Sequence, residues 1–348
     1  MNSKNLNICL VGFGNAGREF CKMLITKREE IRKLKGYDLK ITAIAGRTKG
    51  SLLALKGIDL EKALKEVDEL GKFDEENQAL VDLQTIEIIR ESKADILIEL
   101  STLSITDGQP AISHIETALE NNIHVITANK GPIAWDYKRL NRIAEDKNLL
   151  FLYETTVMDG TPIFNLVKYT LPGCRVKAFK GILNSTTNFI LEEMEQGKSY
   201  EAAIKEAQRR GFAEADPSLD VDGWDAAAKT AALANVLMGG DLTPMSVSRQ
   251  GISKITEKDI EAAKREDKKI KLLCEAYIED GEVTGRVQPV FVSTKDIFSN
   301  IDATSSILCI TTDLMGEICI VEKNPEIEQT AYGVYSDLLT LLKELSLL

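Results

Sequence analysis

The apolar run Leu6 to Val11 ends in Gly12-Phe13-Gly14-Asn15-Ala16-Gly17, and a long amphipathic stretch comes directly after it. Few folds accept that order. Gly12 permits a tight turn, Gly14 lets backbone approach a pyrophosphate, and Gly17 lets the helix pack on the strand, with the helix N-terminus facing the anion. Phe13, Asn15 and Ala16 complete the turn. The segment therefore predicts dinucleotide binding at the first βα junction of an α/β chain. A glycine-rich structural turn is the alternative.

The rest of the first 150 residues fits a Rossmann-type doubly wound parallel sheet. Strands are predicted at 6–11, 40–45, 95–99, 124–127 and 149–153. Helices are predicted at 16–34, 110–121 and 135–146, with one or two more in the charge-rich stretch 60–90. After residue 150 the pattern changes to that of a second, α+β domain over 151–325. Its predicted helices are 163–168, 188–195, 200–210 and 223–238, and its strands 176–183, 273–279, 283–292, 305–311 and 317–321. A closing helix at 328–345 belongs to a segment, 326–348, that returns to the nucleotide-binding domain, 1–150.

Composition narrows the chemistry. With 43 Lys and Arg against 54 Asp and Glu, the net charge of -11 argues against a nucleic-acid partner. No run reaches the apolar length of a membrane span or a signal peptide. The 6 cysteines are far apart, form no C-x-x-C pair and sit mostly in apolar runs, which suggests free thiols and a cytoplasmic address. The 2 histidines, His114 and His124, lack an acidic or cysteine partner at ligand spacing, so proton chemistry falls to lysine or carboxylate.

Three segments carry candidate residues. The second strand ends in Gly46-Arg47-Thr48-Lys49 rather than in an acid for a ribose hydroxyl, so Arg47 and Lys49 suit a 2'-phosphate and favour NADP, with NAD the alternative. Lys130, in Val125-Ile126-Thr127-Ala128-Asn129-Lys130-Gly131-Pro132, follows a strand whose carboxyl end faces the ligand crevice of such a sheet. A partly desolvated lysine there can exchange a proton with an alcohol; a surface lysine at a turn is the plain alternative. The third is the acidic stretch Gly211 to Lys229, in which Asp225 and Lys229 share a helix face, preceded by Glu214 and Asp220 on a loop. Carboxylates beside an ammonium suit a small zwitterion, although helix capping and an i,i+4 pair would use the same residues.

Together these motifs resemble homoserine dehydrogenase over nearly the whole chain. The likeness also runs through Glu154-Thr155-Thr156-Val157-Met158-Asp159-Gly160-Thr161-Pro162-Ile163 and Gly181-Ile182-Leu183-Asn184-Ser185-Thr186-Thr187-Asn188. It implies NAD(P)-dependent interconversion of L-homoserine and L-aspartate 4-semialdehyde, a step towards threonine and methionine, by a homodimer, and it assigns catalysis and dimerisation to the second, α+β domain, 151–325. Under it Lys130, Lys229 and Asp225 are catalytic, Glu214, Asp220 and Thr186 hold the substrate, and Ser101 and Thr102 join Lys130 and the glycine-rich turn around the cofactor. Glu154, with carbonyls of Val157, Asp159 and Thr161, resembles the family's monovalent cation site, usually sodium.

The chain departs from the family at Ser185, where glycine is general, and at Leu103, where proline is frequent. Over 321–331 it lacks a glycine-rich segment that approaches the cofactor. No residues follow Leu348 for an appended regulatory domain, so threonine inhibition through one is not expected. Rival readings are a non-catalytic dinucleotide sensor, a dehydrogenase of a related amino alcohol, and an aldehyde dehydrogenase of the aspartate-semialdehyde type. The last would need a cysteine and histidine pair that is not apparent.

Overall fold

The computed structural model describes residues 4–346, which form two compact units. The first runs to Pro132, resumes over Asp136–Pro162 and takes in the C-terminal segment from Glu326. The second holds Ile133–Trp135 and Ile163–Pro325.

In the first unit the order is β1 (Lys4–Val11), α1 (Asn15–Lys35), β2 (Tyr37–Gly46), β3 (Gly50–Leu53), α2 (Leu60–Leu70), β4 (Leu80–Val81), α3 (Thr85–Glu91), β5 (Ile96–Glu99), α4 (Ala111–Glu120), β6 (His124–Thr127), α5 (Lys130–Asp146) and β7 (Phe151–Leu152). The sheet order is β4-β3-β2-β1-β5-β6-β7. From β2 to β7 neighbours are parallel, and β3 and β4 add an antiparallel edge. The central strands are buried on both faces, which is why Ile8-Cys9-Leu10-Val11 and Val125-Ile126 read as unbroken apolar runs.

The stretch 60–90 contains two helices, α2 and α3, but also β4, and neither β4 nor β3 was expected. These strands have two and four residues, too short to show a period. The predicted helix at 135 starts instead at Lys130. Gly131 and Pro132 lie in its first turn, where a proline's missing N–H costs nothing. The helix breaks at Asp136, whose φ is -150°.

The second unit continues with α6 (Phe164–Thr170), β8 (Val176–Ile182), α7 (Ser185–Glu195), α8 (Tyr200–Arg209), α9 (Ser218–Val221), α10 (Trp224–Met238), β9 (Ser248–Arg249), α11 (Glu257–Arg265), β10 (Lys268–Glu279), β11 (Glu282–Ser293), β12 (Ser306–Thr312) and β13 (Glu317–Glu322). Its sheet order is β13-β12-β8-β10-β11-β9, antiparallel except for β9 beside β11. The last helix, α12 (Ile327–Leu345), lies in the first unit, where Ala331, Val334, Leu338 and Leu341 join the core with Phe20 and Leu24. Helix α11 was not anticipated, yet its capping box is legible: Thr256 and Asp259 satisfy each other's backbone N–H.

The cysteines require a correction. Cys309 and Cys319 stand opposite each other in the β12–β13 ladder and form a disulfide, with Cα atoms 4.0 Å apart. Their pairing depends on hairpin register, which spacing did not reveal. The other four are free, and burial pushes the Cys9, Cys21 and Cys274 thiols up to about 12. Among the described residues no helix is long and apolar enough to cross a membrane.

At the first βα junction, Gly12 adopts a left-handed φ of 101°, and a Cβ on Gly17 would strike the Gly12 carbonyl. Gly17→Ala should therefore cost about 1–3 kcal/mol through backbone displacement. Urea denaturation measures this, and an unchanged midpoint would show that the turn yields without strain.

Candidate active site

Helix α10 places Asp225 and Lys229 one turn apart on the side of the helix that is not sealed into the second unit. Ala226, Ala227, Ala228, Ala231, Ala232 and Ala234 are fully buried, and their small size lets the helix lie close to β10 and β11. Lys229 Nζ lies 3.2 Å from Asp225 Oδ2 and donates to the Leu183 carbonyl at 2.7 Å, just beyond β8. Both side chains remain partly open, at 19% and 17% exposure. The pair is thus shielded enough to feel each other's charge and open enough to meet a small molecule.

Asn184 joins the pair to Asp220. Its amide nitrogen donates to Asp220 Oδ1 at 2.7 Å and to Asp225 Oδ2 at 2.9 Å, while its carbonyl oxygen accepts from the Thr187 N–H and hydroxyl at the start of α7. Asn184 stands in a motif of the family but was not among the candidate residues. Its signal was the N-cap pattern before a helix, which fixes the oxygen and so aims the nitrogen outward. Asp220 was expected on a loop, but sits on α9, a single turn opened by Pro217. Burial, then the charge of Asp225, raises the Asp220 carboxyl above the ordinary range, and Asn184 and Lys229 oppose this.

Of the other two predicted substrate residues, Thr186 touches this set through a side-chain hydrogen bond with Asp220 that also opposes the rise of its carboxyl, while Glu214 lies outside it. Thr186, one turn into α7, spends its hydroxyl on the Phe212 carbonyl at 2.7 Å, tying α7 to the acidic loop. Glu214 is on that loop, and its backbone carbonyl accepts from Gln208.

In the first unit, the turn Gly12 to Gly17 ends β1 and opens α1. Phe13 is buried against Phe73, with ring centroids 5.3 Å apart, so it supports the turn from behind. Where a side chain on Gly14 would begin there is open space to 4 Å, and the first turn of α1 holds no acidic residue. An anion fits that cradle. Asn15 accepts a hydrogen bond from Arg18, and Ala16 follows it into the helix. Arg47 and Lys49 lie in the three-residue loop between β2 and β3, with Arg47 exposed. Lys130 is half-buried as the first residue of α5, capped by Asn129, which also donates to the Ser101 carbonyl at 3.0 Å. Thr102 is exposed beside it.

The turn 154–161 of the same unit has Glu154 and Val157 buried and two successive left-handed residues, Met158 and Asp159. It is tied to α12: Glu154 N–H donates to Asp337, Thr155 to the Thr330 carbonyl, and Thr330 to the Asp159 carboxylate. Thr161 N–H closes the turn on the Met158 carbonyl. The segment 321–331, which lacks the family's glycines, is occupied by the end of β13 and a capping box in which Glu326 and Gln329 open α12.

Residues 12–154 match the family model for the NAD-binding domain of homoserine dehydrogenase, and residues 162–339 match the model for homoserine dehydrogenase itself. The chain belongs to the homoserine dehydrogenase family. It is 36% identical over 335 residues to the homoserine dehydrogenase of Methanocaldococcus jannaschii, covering 96% of this chain and 98% of that one. It is 34% identical to the NAD(+)-dependent homoserine dehydrogenase of Pseudomonas canavaninivorans, over 95% of each. A solved structure of a hyperthermophilic archaeal homoserine dehydrogenase in complex with NADPH superposes with a TM-score of 0.83 at 27% identity, covering 98% of both chains. The chain is thus an oxidoreductase of a family that works with a nicotinamide dinucleotide.

Removing the like charge beside Asp220 should ease its ionisation. In Asp225→Asn the Asp220 carboxyl is expected to titrate at lower pH than in the wild type, read by carboxyl carbon NMR. An unmoved titration would show that burial alone sets it.

Proposed function

We propose that the chain interconverts L-homoserine and L-aspartate 4-semialdehyde, and that Asn184, Asp220, Asp225 and Lys229 form its substrate-handling centre. One observation carries this: a single amide links two carboxylates, one of them paired with a lysine, in a homoserine dehydrogenase. Asp220 and Glu214 hold the ammonium of the amino acid. Lys229 presents an N–H to the 4-oxygen, and Asp225 beside it passes the proton onward. Lys130, in the first unit, is the second catalytic lysine. In the reducing direction the carbonyl oxygen gains a proton from lysine as its carbon gains hydride; in the oxidising direction both leave. The bound nicotinamide supplies or accepts that hydride. Thr186 keeps the acidic loop in place.

The turn Gly12 to Gly17, with Ser101, Thr102 and Lys130, would hold the cofactor. Arg47 and Lys49 favour the 2'-phosphate of NADP, while the NAD(+)-dependent relative makes NAD the competing choice. Glu154 with the carbonyls of Val157, Asp159 and Thr161 offers oxygen donors suited to a hard monovalent cation such as sodium. The reading extends to a cytoplasmic homodimer whose second unit carries dimerisation, with threonine and methionine synthesis as its setting.

The test is reduction of NADP or NAD by purified protein with L-homoserine. Lys130→Ala and Lys229→Ala should each lower kcat by about 10²–10⁴-fold. Glu214→Gln should chiefly raise the KM for homoserine. Cofactor binding without turnover in the wild type would refute the reaction and favour the sensor. Arg47→Ala should weaken NADP binding and spare NAD, and equal loss with both would remove the 2'-phosphate role. Replacing sodium by a bulky organic cation should lower the Tm of the wild type more than that of Glu154→Gln, and equal shifts would dismiss the cation site.

A further inference from the structure

We infer that Glu99, with His114 behind it, is a positioning residue for Lys130, an inference that rests on the reaction proposed above. Glu99 ends β5 with its side chain fully buried. A carboxylate is unfavourable there, and an apolar residue of similar size would fill the site with less desolvation. What it adds is the capacity to gather donors from separate segments.

Three donors converge on it. Oε1 accepts from the Ser101 N–H at 3.2 Å and lies 3.3 Å from Nδ1 of His114, itself buried on α4. The Thr127 hydroxyl, at the end of β6, is shared between the Glu99 main-chain carbonyl at 3.1 Å and Oε2 at 3.3 Å. The loop after β5, helix α4 and the last residue of β6 are thereby held to one group. A His–carboxylate pair was not foreseen, because Glu99 and His114 lie on different elements and meet only through the fold.

The network continues to the lysine. Thr127 Oγ1 accepts from the Asn129 N–H at 3.0 Å, the Asn129 side chain donates to the Ser101 carbonyl at 3.0 Å, and its oxygen accepts from the Gly131 N–H at 2.9 Å. Both chain neighbours of Lys130 are therefore fixed through bonds that trace back to Glu99, by its carboxylate at Ser101 and by carboxylate and main-chain carbonyl together at Thr127. The same bonds fix Ser101, on the proposed path of the cofactor. Glu99 touches no reactant in this account; it acts through the backbone on either side of Lys130. A displacement near 1 Å at a reacting group is enough to cost about 10²-fold in rate.

The experiment compares wild type, Glu99→Leu and Glu99→Gln in kcat, KM for homoserine, Tm and amide hydrogen exchange. Glu99→Leu should lower kcat by about 10²-fold. Its KM should stay within about twofold and its Tm close to wild type, because the substrate carboxylates lie in the other unit and leucine fills the space. Amides of 100–103 and 128–131 should exchange faster while 96–98 and 124–126 keep their protection. Glu99→Gln keeps an acceptor for Ser101 and should recover much of the lost kcat. Wild-type kcat in Glu99→Leu, or a loss that glutamine does not rescue, overturns the inference. If Glu99→Leu does not fold, His114→Leu, with the carboxylate intact, should still lower kcat at constant KM, and wild-type kcat there overturns it too. A wild type inactive on homoserine refutes the reaction, not the positioning; unchanged exchange at 100–103 and 128–131 in the variants refutes the positioning.

Discussion

Two carboxylates brought to one amide repel each other, and the second unit is arranged around tolerating that repulsion. Asn184 donates to Asp220 and Asp225 at once, and Lys229 supplies the positive charge that offsets their joint burial. Each depends on a different part of the fold. Asn184 is fixed as the cap of α7, Asp220 rides on the single turn of α9, and Asp225 with Lys229 lies on α10. The buried alanines of α10 and the tie from Thr186 to Phe212 matter because they hold these three helices in register. An unpaired lysine or a bridging residue without a second hydrogen-bond partner would leave a charge or a polar atom stranded.

Much of the fold was legible because its central strands are buried on both faces. A parallel strand sealed by helices must be apolar throughout, so β1 and β6 declared themselves, and the glycine-rich turn marked where α1 begins. Edge elements gave no such signal. The strands β3 and β4 are short, and α9 is one turn whose residues read equally well as an acidic loop. The start of α5 was missed because Gly-Pro suggests a turn, whereas proline in a first helical turn loses nothing.

Candidate residues were legible where a local pattern placed them together, as with the i,i+4 pair Asp225 and Lys229. They were hidden where tertiary structure did. Asn184 became a bridge only when α9 and α10 came to it. Glu99 read as the last residue of an apolar strand, and His114 as an isolated histidine on a helix; their contact spans 15 residues and needs β5 and α4 already packed. Cys309 and Cys319 needed the register of a hairpin whose turn gives no sharp signal. In each case the missing information was which elements are neighbours, not what the residues are.

The two units share a device. Each places an asparagine between a strand and a helix, Asn129 opening α5 and Asn184 opening α7. Capping uses only the side-chain oxygen, so the amide nitrogen is left with a known direction and two protons to give. Asn129 gives one to the Ser101 backbone, fixing the loop beside Lys130; Asn184 gives its two to the carboxylates beside Lys229. Aspartate at either position would cap the helix as well, but would bring a negative charge and no donor. Beside Asp220 and Asp225 it would add a third carboxylate to a pair already held together by an amide. The requirement for asparagine rather than any good cap thus comes from what lies behind the helix start, and it links local helix chemistry to the placement of both lysines.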